Sequence, residues 1–198
     1  MIGTELNPIK QTRYFFEYAG VLAFYNLVRL LPLKFLRALA GVCGFFLFLV
    51  PSCRRLILSN LETAFPGMDA AERARVGRKS AANVLLSLLE FFWFSGNTDK
   101  VRTHIRISDE ICRYVNGIHA QKRGLLFVVP HFGNWEIAAF MFNAYFPNIP
   151  FAVVARSLPN PYINRLVNSG RMVEGNLVIS AKGAVKGMLK ALKEGYFM

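Results

Sequence analysis

His131, Gly133, Asn134 and Glu136 fall within six residues of one another in GLLFVVPHFGNWE, Gly124 to Glu136. A histidine and a carboxylate five positions apart across a bend are the parts of a general base and its orienting acid. The carboxylate can reach back to one ring nitrogen, which leaves the other to take a proton from a substrate hydroxyl. Gly133 permits close backbone approach, and Asn134 can cap a helix that begins at Trp135. Backbone N–H groups at that helix start can stabilise an oxyanion. A plainer reading stays open on these residues alone: a capping Asn, a satisfied histidine, and a Glu drawn to the helix N-terminus by its dipole.

Other chemistries lack their parts. There is no Gly-x-Ser-x-Gly elbow. Cys43, Cys53 and Cys112 are scattered with no CxxC spacing, so neither a disulfide framework nor a zinc site is indicated, and a reducing environment fits. His104 and His119 have no acidic or cysteine partner at metal or triad spacing and read as ordinary surface or cap histidines. No metal or cofactor is called for.

A second set of polar residues follows. Asn160 and Pro161 suit the N-cap and first position of a helix on which Tyr162, Ile163, Leu166 and Val167 are spaced for burial. Asn164, Arg165, Asn168 and Arg171 fall on its other side. With Arg156 before the helix, Arg165 and Arg171 could hold phosphate or sugar-acid groups bidentately; a solvated face is the alternative. Lys182, Lys186, Lys190 and Lys193 read as a solvated face, with docking of an acidic carrier protein as the other reading.

The elements that must position these residues are an alternation. Strand 125–129 is apolar throughout and reads as buried on both faces, and a helix from Trp135 to Tyr145 follows it. Strand 151–155 precedes a helix from Pro161 to Val173, and strand 177–180 precedes a helix from Ala184 to Lys193. Tyr196 to Met198 look like a further strand beginning. This pattern predicts an α/β fold, a mostly parallel sheet flanked by helices, with His131 and Arg156 at the carboxyl ends of strands, where ligands bind in open sheets. The alternation breaks off at Met198, which points to a domain truncated at its C-terminus. Upstream, a weak strand near 102–107 and a helix from Asp109 to His119 capped by Ser108 are expected. Asp69 and Glu72 form a capping box for a helix running to about Phe94, preceded by a break at Phe65, Pro66 and Gly67.

The first quarter differs. Of the 198 residues 54% are hydrophobic and 14% aromatic, and the net charge is +12. That charge suits an anionic partner, nucleic acid or an anionic membrane; the apolar excess favours the membrane and argues against nucleic acid. Residues 14–50 are apolar but interrupted by Glu17, Asn26, Arg29, Lys34 and Arg37, and Pro32 divides them. Neither piece supplies the roughly 20 apolar residues of a spanning helix. A helix pair lying in one leaflet is expected, with a buried core hairpin as the other possibility. Arg54 and Arg55 put the following side in the cytoplasm. The chain thus divides into a membrane-associating helical segment, residues 1–53, and an α/β domain, residues 54–198.

HFGNWE, the upstream NLETAFP (Asn60 to Pro66) and the downstream VVARSLPNPYINRLVNSGR together resemble the lipid A late acyltransferases, the lauroyl and myristoyl transferases of the lysophospholipid acyltransferase superfamily. The resemblance implies a glycerol-phosphate acyltransferase-like fold behind an N-terminal anchor at the cytoplasmic face of a bacterial inner membrane. It implies His131 as general base with Glu136 as its acid, the His-four residues-Glu motif, and basic residues at Arg156 and Arg171; Gly133, Asn134 and Arg165 complete the expected substrate-binding set. The implied reaction moves an acyl chain from a thioester, on acyl carrier protein or coenzyme A, to a hydroxyl of an anionic lipid A precursor. No acyl-enzyme is needed, since a thioester is already activated. Another glycolipid or lysophospholipid acceptor, or an inactive basic membrane-binding fragment, are the alternatives.

Overall fold

A computed structural model describes residues 7–171 and 176–198. The described chain is mostly helical, with one small parallel sheet, and it divides into two compact units.

One unit comprises residues 27–93 with 132–134. Helix α1 (Pro8–Leu30) begins in the other unit and ends here, before Pro32, which has no N–H and disfavours helix in the residue before it. Helix α2 (Leu33–Leu49) buries Leu36, Ala40, Gly44 and Phe48, an i, i+4 stripe. A Cβ on Gly44 would run into the backbone of Ala82, so only glycine permits that helix approach. Pro51 opens α3 (Pro51–Ala64), which bends 94° from α2. Helix α4 (Ala70–Phe94) starts where Asp69 accepts from the N–H of Glu72 at 2.8 Å, the first half of the expected capping box. Trp93 Nε1 donates to the carbonyl of Leu31 at 2.9 Å. No single described helix is long and apolar enough to cross a membrane, and α2 with α3 passes that test only as a bent pair.

The other unit comprises 1–26, 94–131 and 135–198. Asn97 accepts from the N–H of Lys100 at 2.9 Å and starts helix α5 (Thr98–His104), where a weak strand was expected. The cap and the acid in the first turn outweigh the β-branched residues there. Ser108 caps α6 (Asp109–Ala120) as expected. Helix α7 (Ile137–Tyr145) has its C-terminal carbonyl at Ala144 held by Arg102 at 2.6 and 2.9 Å.

Strand β1 (Ala152–Ala155) runs parallel to β2 (Leu177–Ser180), with Ala152 opposite Leu177 and Ala155 opposite Ser180. Between them in sequence lies α8 (Pro161–Arg171), and after them α9 (Ala184–Lys193). The expected extension of α8 to Val173 lies outside the described residues. Phe197 bridges in parallel to Leu125 on one side and to Phe151 on the other, so the expected strand at Tyr196–Met198 is present as isolated bridges between them. Phe197 is fully buried in a cluster with Val115, Ala139, Phe142, Phe146, Ile149 and Phe151, and Phe142 stacks on Phe151 at 4.2 Å. Alternation of strand and helix produced this parallel pairing, as expected. Strand 125–129 is the correction: its pairing stops at Phe127, whose N–H donates to Met198, and Val128 and Val129 are exposed. An apolar run buries both faces only where neighbouring strands extend the sheet, and none does so beside Val128 among the described residues.

Candidate active site

An open crevice of about 570 Å3 lies at the carboxyl ends of the parallel segments. Its polar lining is His131, Glu136, Arg156, Asn164, Asn168 and Arg171; its apolar lining includes Phe127, Trp135, Val153 and Met188. Residues from three separate stretches thus converge where an open α/β sheet collects ligands.

His131 is exposed at the start of the bend, and its ring lies 4.8 Å from that of Trp135, tilted by 49°. Neither ring nitrogen makes a hydrogen bond among the described residues. The bend turns at Gly133, whose φ of +60° is left-handed backbone that L side chains rarely adopt. A Cβ there would meet nothing within 4 Å, so backbone conformation rather than close approach selects glycine.

Glu136 sits at the N-cap of α7 but caps nothing with its side chain. Its Oε2 accepts from Arg171 at 2.6 Å, an ion pair in which the arginine side chain is 16% and the carboxylate 32% exposed. The acid proposed to hold His131 is therefore held by Arg171, one of the arginines read as contacting substrate. Its Oε1 accepts no hydrogen bond among the described residues. Both Glu136 and His131 remain in the one crevice.

Asn134 does not cap α7. Within its own unit, its Nδ2 donates to Glu90 Oε2 at 2.8 Å and to the Ser87 carbonyl at 3.5 Å. The bend carries α7 to a start at Ile137, two residues later than expected, which removes Asn134 from capping range.

Helix α8 is capped as its sequence predicts. Asn160 Oδ1 accepts from the N–H groups of Tyr162 and Ile163, and its Nδ2 donates to the Tyr14 carbonyl and to Glu17 of α1 at 2.9 and 3.0 Å. That buried amide fixes the helix so that Asn164, Asn168 and Arg171 line the crevice. Arg156, just past β1, is exposed, lines the crevice and makes no ion pair among the described residues. Arg165 is exposed and outside the crevice lining.

Sequence reasoning passed over Glu90, Asn143 and Asn176. The first two had a signal, since each is a lone acid or amide in an apolar helical run, where a polar group is retained with a partner. No group of three or more candidate metal ligands occurs among the described residues. His104 bonds the carbonyl of Lys100 and stands edge-on to Phe94, and His119 stands edge-on to Phe197.

The sequence profile of a family described as "Bacterial lipid A biosynthesis acyltransferase" matches residues 6–198. A lipid A biosynthesis lauroyltransferase of Escherichia coli (strain K12) is 30% identical over 185 residues, which cover 92% of this chain and 58% of that protein. The chain spans less than two thirds of that curated relative. With the parallel segments, the crevice and the profile match over nearly its whole length, the chain belongs to the bacterial lipid A biosynthesis acyltransferase family.

Proposed function

We propose that the protein is an O-acyltransferase that moves a fatty acyl chain from an acyl carrier protein thioester to a hydroxyl of a lipid A precursor. The observation that carries this reading is the convergence of His131, Glu136, Arg156 and Arg171 on one crevice in a chain of this family. In this mechanism His131 takes the proton of the acceptor hydroxyl as that oxygen attacks the thioester carbonyl. The tetrahedral oxyanion collapses with loss of the carrier thiolate, which the imidazolium protonates. Glu136 orients the imidazole through its unbonded Oε1, and Arg171 holds the carboxylate for that task. Arg156 meets a phosphate of the acceptor.

The α/β part on this reading is built like the glycerol-phosphate acyltransferases and works at the cytoplasmic face of the bacterial inner membrane. Support for the membrane comes from apolar side chains in the open. On α1, Ile9, Phe15, Phe16 and Phe24 are exposed, and on α2 so are Phe35, Val42, Phe45, Phe46 and Leu49. An interfacial helix buries such a face among acyl chains. Flotation on anionic vesicles tests this part: a variant lacking residues 1–53 should lose retention, and full retention would place the anchor elsewhere.

For the chemistry, His131→Ala should abolish transfer between a purified acyl carrier protein thioester and a lipid A precursor while the circular dichroism spectrum is unchanged. Near-normal transfer by that variant would overturn the mechanism.

A further inference from the structure

Helix α7, IAAFMFNAY, contains a single amide side chain, and it is buried: Asn143 is 7% exposed. A buried amide carries a desolvation cost for each hydrogen bond it fails to make. Asn143 uses both ends. Its Nδ2 donates to the carbonyl of Arg171 at 3.3 Å, and its Oδ1 accepts from Asn176 Nδ2 at 2.6 Å. Asn176 Oδ1 in turn accepts from the backbone N–H of Phe151 at 3.2 Å. Donor and acceptor alternate in one direction from the Phe151 peptide to Arg171, so each amide orients the next.

The place where this relay ends matters. Arg171 is the last described residue of α8, and Asn143 bonds its main-chain carbonyl. Glu136 lies seven positions before Asn143, two turns back along α7, and the same arginine's guanidinium reaches it at 2.6 Å. Arg171 is therefore gripped twice from α7, by main chain and by side chain. The main-chain bond holds the residue that carries the guanidinium, and so bears on the direction from which the carboxylate is held.

We propose that Asn143, oriented by Asn176, is a positioning residue that sets the Arg171–Glu136 pair and through it the acid of the His131 site. This rests on the reading of His131 and Glu136 as base and acid given above.

The test is steady-state transfer from an acyl carrier protein thioester to a lipid A precursor by the full chain in its membrane. Asn143→Asp keeps the shape and the acceptor for Asn176 but, ionised, cannot donate to the Arg171 carbonyl. It should lower kcat by about ten- to a hundredfold, the effect of a small displacement of a catalytic group, and leave KM for both substrates unchanged. If that variant does not fold, Asn176→Asp, which removes the donor to Asn143, takes its place with the same expectation. In the Arg171→Met background, which has no pair with Glu136 left to position, the second substitution should add no further loss, because Asn143 acts through that pair. Losses that multiply in the double variant would show an independent structural role and overturn the proposal; so would a wild-type kcat in the folded single variant. His131→Ala separates the two levels. If it retains transfer, the assignment of the site fails and the proposal with it; if it is inactive while Asn143→Asp matches wild type, the positioning role alone fails.

Discussion

The acidic side of the crevice and the histidine side are held very differently. Glu136 is fastened to Arg171 at 2.6 Å, Arg171 is fastened by its carbonyl to Asn143, and the far end of α8 is fastened to α1 through Asn160. His131 makes no hydrogen bond among the described residues and has the ring of Trp135 beside it. The contrast fits the roles proposed for the two groups. A base must exchange hydrogen-bond partners as its proton arrives and leaves, so it needs a ring nitrogen not committed to the protein. An acid that orients it needs the opposite, a fixed direction, and several bonds supply that.

Substitutions can break or sharpen this contrast. The largest effect belongs to the open side: His131→Ala should cost about 10²- to 10⁴-fold in kcat with an unchanged melting temperature, since His131 makes no hydrogen bond among the described residues. On the held side, activity and stability should fall together. Arg171→Met leaves a half-buried carboxylate and the end of α8 without the ion pair, and should lower stability by about 1–3 kcal/mol, read by denaturant unfolding, along with transfer. Glu136→Gln keeps the shape of the side chain and should lose less activity than His131→Ala; an unchanged rate would reduce Glu136 to a structural partner of Arg171.

Asn160→Ala removes two capping bonds and two bonds to α1, and about 2 kcal/mol of stability should go with them. The smallest effect is expected at the bend. Gly133→Ala meets no steric obstacle but must hold a φ of +60°, which costs about 1–2 kcal/mol. If the strain is relieved by reshaping the bend, transfer should fall more than stability does, because His131 and Glu136 flank it.

Much of the site was legible locally. Asn160 and Pro161 announced the start of α8, Ser108 that of α6 and Asp69 that of α4, because capping is settled between residues two or three apart. Strand 177–180 and helix 184–193 matched to the residue, since period-2 and period-3.6 patterns are local as well. The α5 region was misread because a single cap at Asn97 outweighed a β-like composition.

Sequence by itself thus determined the helix starts, the parallel alternation and the placing of His131 and Glu136 on one bend after an apolar run. The tertiary structure alone decided who holds whom. Arg171 meets Glu136 across 35 positions and Asn134 meets Glu90 across 44, and Asn143 joins Arg171 and Asn176 across 28 and 33. Nothing in the neighbouring residues specifies such partners, because they are selected by which buried polar groups the packed helices bring within reach of one another.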